Sequence, residues 1–322
     1  MILDYLGILS GLILLVFGAD RFVTGAANIA RGLGMPPLLI GLTIVSIATS
    51  TPEILVGSVA ALDGKIEIAI GNAIGSNIAN IGMVLGLSVL ILPVKIASKA
   101  LQQEYLLMFL SAFIAILLML DLELSRMDAT ILLITLAGFI YWILRIAQRT
   151  PMTDPLTGEF EQELAQIMSL KKSVVFFLVG LILMLAGAEL LVRCSVVVAR
   201  SFGISDLVIG LTIIAVGTSL PELAASLMSV VKKEADFAVG NVIGSNMFNM
   251  LAVIGVPVLI HPSVIGNEAL LRDFPVMIVM TLLMGWMVFM RGPGRFDRIE
   301  GGVLLLCFIF YQYWLFAAPV SG

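Results

Sequence analysis

Two glutamates, Glu53 and Glu222, each follow a proline directly, in the strings TSTPE and TSLPE within otherwise apolar stretches. Ser46, Thr49, Ser50 and Glu53 are spaced by three and four residues, so a helix places them on one stripe. Thr218, Ser219 and Glu222 repeat the pattern. Two further strings, GNAIGSNIAN and GNVIGSNMFN, set Asn72, Ser76 and Asn80, and again Asn241, Ser245 and Asn249, four residues apart. All of these side chains offer hard oxygen ligands, and none offers a thiolate or an imidazole. Such a set suits Ca2+, which takes about 6–8 oxygens, or a Na+-like ion, rather than zinc or copper. Two ionised glutamates balance one divalent ion or two monovalent ions, but not both at once. An ionised carboxylate at the centre of a bilayer costs about 2.5–3.5 kcal/mol. A filled pair therefore crosses a low-dielectric region more readily than an empty one, which is a physical basis for obligatory exchange.

The elements that hold these groups must be broken helices. Pro52 cannot donate to the carbonyl of Ala48 and its ring clashes there, so the helix must kink and free carbonyls beside Glu53. Pro221 repeats the device with Gly217. Broken backbone at membrane depth is tolerated only where it is buried in protein or lines a watery cavity. Gly71 with Gly75, and Gly240 with Gly244, are small-residue pairs that allow close helix approach. Structural roles compete at several positions. The hydroxyls of Thr49, Ser50, Thr218 and Ser219 can bond back to their own helices. Asn72 and Asn241 can bond between helices, and Asn77 and Asn246 lie off the main stripe and suit that role better. Asp20–Arg21 and Glu189–Arg193 read as ion pairs, and His261 as a structural residue at a helix end.

Residues 41–93 align with 210–262 at a constant offset of 169 with no gaps, and 22 of the 53 positions are identical. Thr, Ser, Pro, Glu, Asn and Gly recur in one order, which reuse of a few apolar residue types does not produce. The matches continue outward: Asp20 with Glu189, Arg31 with Arg200, Gly34 with Gly203, Glu104 with Asp273, Arg126 with Arg295 and Asp128 with Asp297. Nearly the whole chain is one unit written twice.

Of the 322 residues, 60% are hydrophobic and 12% are charged; soluble domains average about 25% charged. Ten apolar spans are expected, near 5–31, 37–62, 67–92, 102–121, 126–147, 173–200, 206–231, 236–260, 270–290 and 299–317. The expected fold class is an all-α polytopic membrane protein. Its five-helix units, 1–150 and 173–322, are joined by a polar linker at 151–172. Cys194 and Cys307 both lie in apolar stretches and make no disulfide framework. Residues 1–5 lack a basic n-region, so the first span is expected to stay in the membrane. Five is odd, so the second unit should enter from the opposite side. If both termini share a face, its loops carry Lys65, Arg126, Arg200 and Arg272. The opposite loops carry Arg31, Lys95, Lys99, Arg145, Arg149, Lys171, Lys172, Lys232, Lys233, Arg291, Arg295 and Arg298. The face richer in Lys and Arg is cytoplasmic, so both termini are expected outside. Inverted repeats are an architecture of secondary transporters, with the site near the midplane.

The strings GTSLPE and GNVIGSNMFN, with the close variants ATSTPE and GNAIGSNIAN, resemble the signature repeats of the sodium/calcium exchangers of the cation/calcium antiporter superfamily. The resemblance is to the bacterial inner-membrane type and covers essentially the whole chain. Its signature segments are Gly41–Leu62 with Gly71–Gly86 and Gly210–Val231 with Gly240–Gly255. It implies ten helices, extracellular termini, alternating access, and long tilted gating helices at the first and sixth spans. It implies cation coordination by Thr49, Ser50, Glu53, Ser76, Asn80, Thr218, Ser219, Glu222, Ser245 and Asn249, with Ser46 and Ala215 at positions that lend backbone carbonyls. Some relatives carry Asp where this chain has Asn249; here the glutamate pair is the only central charge. The short central linker argues against the cytosolic calcium regulation of animal relatives.

The expected function is secondary antiport of Ca2+ against Na+ across a bacterial inner membrane, by a monomer with no cofactor and no nucleic-acid partner. Ca2+/H+ exchange on the same carboxylates is the nearest alternative. A passive cation channel is more distant, because no continuous charged ring is present. An enzyme is least supported: HExxH and GxSxG are both absent.

Overall fold

The computed structural model describes residues 2–33, 37–95, 100–149, 168–202, 215–266, 269–290 and 295–317. Helices α1 (Ile2–Leu33) and α7 (Leu170–Ser201) each contain 32 residues, or about 48 Å at 1.5 Å per residue. A hydrocarbon core of about 30 Å is shorter, so both helices must tilt. They pack against each other along their length. The seam is lined by small residues. A Cβ on Gly11 would lie 2.8 Å from the Gly187 carbonyl oxygen, one on Gly18 2.9 Å from that of Gly180, and one on Gly25 2.7 Å from that of Ser173. Partner numbers fall as α1 numbers rise, so the helices run antiparallel. The repeat offset also maps the Gly11–Gly187 contact onto the Gly18–Gly180 contact.

Helices α2 (Gly41–Thr49) and α3 (Thr51–Leu62) meet at a 45° bend. They are followed by α4 (Ile66–Ile91), α5 (Ala100–Met119) and α6 (Arg126–Arg149). In the second half, α8 (Ala215–Thr218) and α9 (Leu220–Val231) are the counterparts of α2 and α3. Then come α10 (Ala235–Ile260), α11 (Phe274–Met290) and α12 (Arg298–Ala317). In their most apolar stretches α4 and α10 are 78% and 83% buried, against 22% for α1 and 28% for α7. The polar repeats therefore lie on the two central helices, and the long pair lies outside with its apolar side chains facing outward.

Among the described residues, seven helices are long and apolar enough to cross a membrane, and the bent α2–α3 pair would make an eighth. The chain is a multi-pass helical membrane protein. The expected span 206–231 is described from Ala215 onward, and the linker at 151–172 from Met168 onward. Strand β1 (Val94–Lys95) pairs antiparallel with β4 (Arg295–Phe296), and β2 (Glu123–Leu124) with β3 (Ser263–Val264). Each pair ties a loop of one half to a loop of the other. Single π turns lie within α2 at Gly41–Val45, within α4 at Asn80–Leu85 and within α10 at Asn249–Val253; another precedes α11 at Ala269–Asp273.

Candidate cation site

Pro52 and Pro221 lie in the first turns of α3 and α9, where a missing N–H leaves no intrahelical bond unmade. The helices restart at these prolines instead of kinking through them. Ser50 (φ −85°, ψ 3°) and Ser219 (φ −89°, ψ 6°) leave the helical conformation just before. The Ser50 N–H still donates to the Ser46 carbonyl at 2.9 Å, so the break is a bend and frees fewer carbonyls than the prolines alone imply. Glu53 and Glu222 fall in the first turns of the restarted helices, where the positive end of the helix dipole favours a carboxylate.

Glu53 is 1% exposed and Glu222 2%. Ser46, Thr49, Ser50, Ser76, Asn80, Ser219, Ser245 and Asn249 are buried too, and Thr218 is half-buried. The Ser50 hydroxyl, three residues before Glu53, donates to Glu222 Oε1 at 3.4 Å. The two halves thus bring their glutamates together. Helix α3 packs against the π turn of α10 and α9 against that of α4, and Asn80 and Asn249 are the first residues of those turns. Sequence reading does not find these turns. Their only mark is a shared glycine, Gly86 and Gly255, six residues after each Asn.

Both carboxylate oxygens of Glu53, Oε2 of Glu222, the hydroxyls of Ser219 and Ser245, and Oδ1 of Asn80 and Asn249 are buried without a hydrogen-bond partner. An unmatched buried polar group costs about 1–3 kcal/mol. A cation coordinated by several of these oxygens would relieve several such penalties together. Among the described residues no three His, Cys, Asp or Glu side chains meet to hold a metal; neutral oxygens fill out the set here. The Ser46 hydroxyl donates to the Gly41 carbonyl at 2.6 Å and the Asn241 carbonyl at 3.1 Å. Ala215 opens α8.

The competing structural roles are also visible. Asn72 Nδ2 donates to the Glu53 carbonyl at 3.4 Å. Asn241 accepts from the Thr49 hydroxyl at 3.3 Å and donates to that of Ser226 at 3.1 Å. Asn77 Nδ2 donates to the carbonyl of Asn246, its own repeat counterpart, at 3.3 Å. Asp20 pairs with Arg21 at 3.4 Å, Glu189 pairs with Arg193, and His261 is exposed at the end of α10.

The starts of the two central helices differ in exposure. A Cβ on Gly244 would meet the Ser46 hydroxyl and the Leu42 carbonyl, so the small-residue contact expected there is made. A Cβ on Gly71 or Gly75 would meet no described atom of another element within 4 Å. Gly71 is exposed and Asn72 and Gly75 are half-buried, whereas Gly240, Asn241 and Gly244 are all buried. The start of α10 is thus buried and the start of α4 partly exposed, while Glu53 and Glu222 are themselves buried.

A family model described as sodium/calcium exchanger protein matches residues 3–145 and 172–317. The CaxA protein of Alkalimonas amylolytica is 44% identical over 323 residues, covering 99% of this chain and 100% of that one. Inner membrane protein YrbG of Escherichia coli is 39% identical over 311 residues, 95% of each chain. Among solved structures, the sodium-calcium exchanger NCX_Mj soaked with Na+ and Ca2+ aligns at a TM-score of 0.84 and 35% identity, over 98% of this chain and 99% of that one.

Proposed function

The chain belongs to the sodium/calcium exchanger family, and from that premise we propose that it moves Ca2+ one way and Na+ the other through a single shared site. The observation that carries this reading is the cluster of buried, unpartnered oxygens contributed by both halves. Glu53 and Glu222 supply the charge. Thr49, Ser50, Ser76, Asn80, Thr218, Ser219, Ser245 and Asn249 supply neutral oxygens, and Ser46 and Ala215 backbone carbonyls. Two negative charges make occupancy by Ca2+ and by a full complement of Na+ mutually exclusive, so one ion must leave before the other binds.

In this reading units 1–150 and 173–322 are inverted copies, each of five spans, with both termini outside a bacterial inner membrane. Support comes from the antiparallel seam of α1 and α7 and from the Asn77–Asn246 bond between matched residues. Each strand pair joins two loops that the charge bias assigns to one face, β1 with β4 inside and β2 with β3 outside. The side where α4 begins is then extracellular, and exchange proceeds by exposing the site to one face at a time.

Equilibrium Ca2+ binding to the purified protein tests the shared site. Na+ should displace Ca2+ competitively, and Glu53→Gln or Glu222→Gln should weaken Ca2+ binding at least ~10-fold, about 1.4 kcal/mol. Ca2+ binding indifferent to Na+ would reject the reading.

A further inference from the structure

Asp20 and Arg31 of α1 reach the turn between α9 and α10. Lys232 Nζ lies 2.7 Å from Asp20 Oδ1, and Arg31 Nη2 lies 2.6 Å from Glu234 Oε1. The Glu234 side chain is 10% exposed, so solvent screens its pair less than an ordinary surface pair. These bonds fasten α1 to the turn that opens α10, where the helix start is buried.

The repeat offset supplies the matching residues for closure on the other side. Asp20 matches Glu189 and Arg31 matches Arg200, with the sign kept; Lys232 matches Asp63 and Glu234 matches Lys65, with the sign reversed. The two turns share one backbone. Gly64 and Lys233 both take positive φ, 74° and 62°. The N–H groups of Lys65 and Glu234 bond to the matched carbonyls of Ala60 and Ser229, each at 2.8 Å. Asp63 and Lys65 thus sit on the same turn backbone as Lys232 and Glu234. Mirrored closure would set Glu189 against Asp63 and Arg200 against Lys65. In the state observed, Glu189 bonds Arg193 on its own helix.

On the strength of the antiport reading above, we propose that these residues form a one-sided charge lock: two ion pairs favour closure over α10, and two like-charge encounters disfavour closure over α4. The ion-free protein then rests open to the face where α4 begins. The bias is about tenfold, about 1.4 kcal/mol, the scale expected of a few partly exposed charge pairs.

The test uses the full chain with Cys194→Ala and Cys307→Ala, and with Gly71→Cys, at the exposed start of α4, as a reporter. The readout is its labelling rate by a hydrophilic maleimide in ion-free detergent solution. Lys232→Asp with Glu234→Lys turns both bonds into repulsions, and Asp63→Lys with Lys65→Glu turns both repulsions into attractions. Each double variant should shift the ratio of states about tenfold, and the four changes together should slow labelling about tenfold. Arg31→Glu with Glu234→Arg keeps the pair with its signs exchanged and should label at the parent rate, which separates a shifted equilibrium from misfolding. A fourfold variant that labels as fast as the parent overturns the lock. Na+-driven Ca2+ uptake by the same proteins in liposomes separates the two claims. Uptake with unchanged labelling removes the lock alone, whereas a parent without uptake removes the antiport reading and the lock with it.

Discussion

Glu53 and Glu222 stand far apart in the chain, yet the hydroxyl beside one reaches the carboxylate of the other. The oxygens around them divide into those that bond within the protein and those that bond to nothing, and the two groups should respond differently to removal. Asn80 Oδ1 has no partner, so Asn80→Ala should raise half-saturating Ca2+ about tenfold, ~1.4 kcal/mol, with little change in melting temperature. Asn77 bonds across the halves, so Asn77→Ala should lower stability by about 1 kcal/mol and leave half-saturation nearly unchanged. Thermal unfolding measured beside a flux titration distinguishes them; the reverse pattern would exchange their roles. The grouping of these carboxylates, hydroxyls and amides was legible from their spacing of three and four residues, but which of them bond within the protein was not. The π turns at Asn80 and Asn249 were not, because a π turn absorbs one residue into the hydrogen-bond pattern without changing composition.

At the scale of elements, the seam of α1 and α7 depends on glycines whose partners are backbone atoms. A Cβ on Gly18 would lie 2.5 Å from the Met184 amide nitrogen, so Gly18→Val must push the helices apart. Overpacking of this kind costs about 1–3 kcal/mol. The melting temperature should fall and most of the Na+-dependent Ca2+ flux should be lost; flux at the parent level would show that close approach is dispensable. The long helices themselves were plain from hydropathy, but their seam was not, since Gly11, Gly18 and Gly25 acquire meaning only opposite Gly187, Gly180 and Ser173. The helix breaks were half legible. Pro52 and Pro221 mark them, but a proline is as much at home at the start of a helix as in a kink, and here α3 and α9 restart.

For the whole molecule, the proposed inversion would make matched residues face opposite sides of the membrane. In a chain with Cys194→Ala and Cys307→Ala, Asp63→Cys should react with an impermeant maleimide applied to intact cells. Its match, Lys232→Cys, should react only after permeabilisation; labelling of both from one face would mean parallel repeats. The duplication and the Lys/Arg bias are the sequence grounds for this proposed topology, because insertion reads loop charge directly. The unequal exposure of Gly71 and Gly240 was not legible, since the two lie in matching strings of the repeat. The central claim, that one site on Glu53 and Glu222 couples the two ions, is met most directly by Ca2+ uptake into proteoliposomes loaded with Na+. Uptake should require the outward Na+ gradient and fall at least ~100-fold, about 2.7 kcal/mol, in Glu53→Gln vesicles. Uptake that ignores Na+ and follows an outward proton gradient, or that persists in Glu53→Gln, would contradict it.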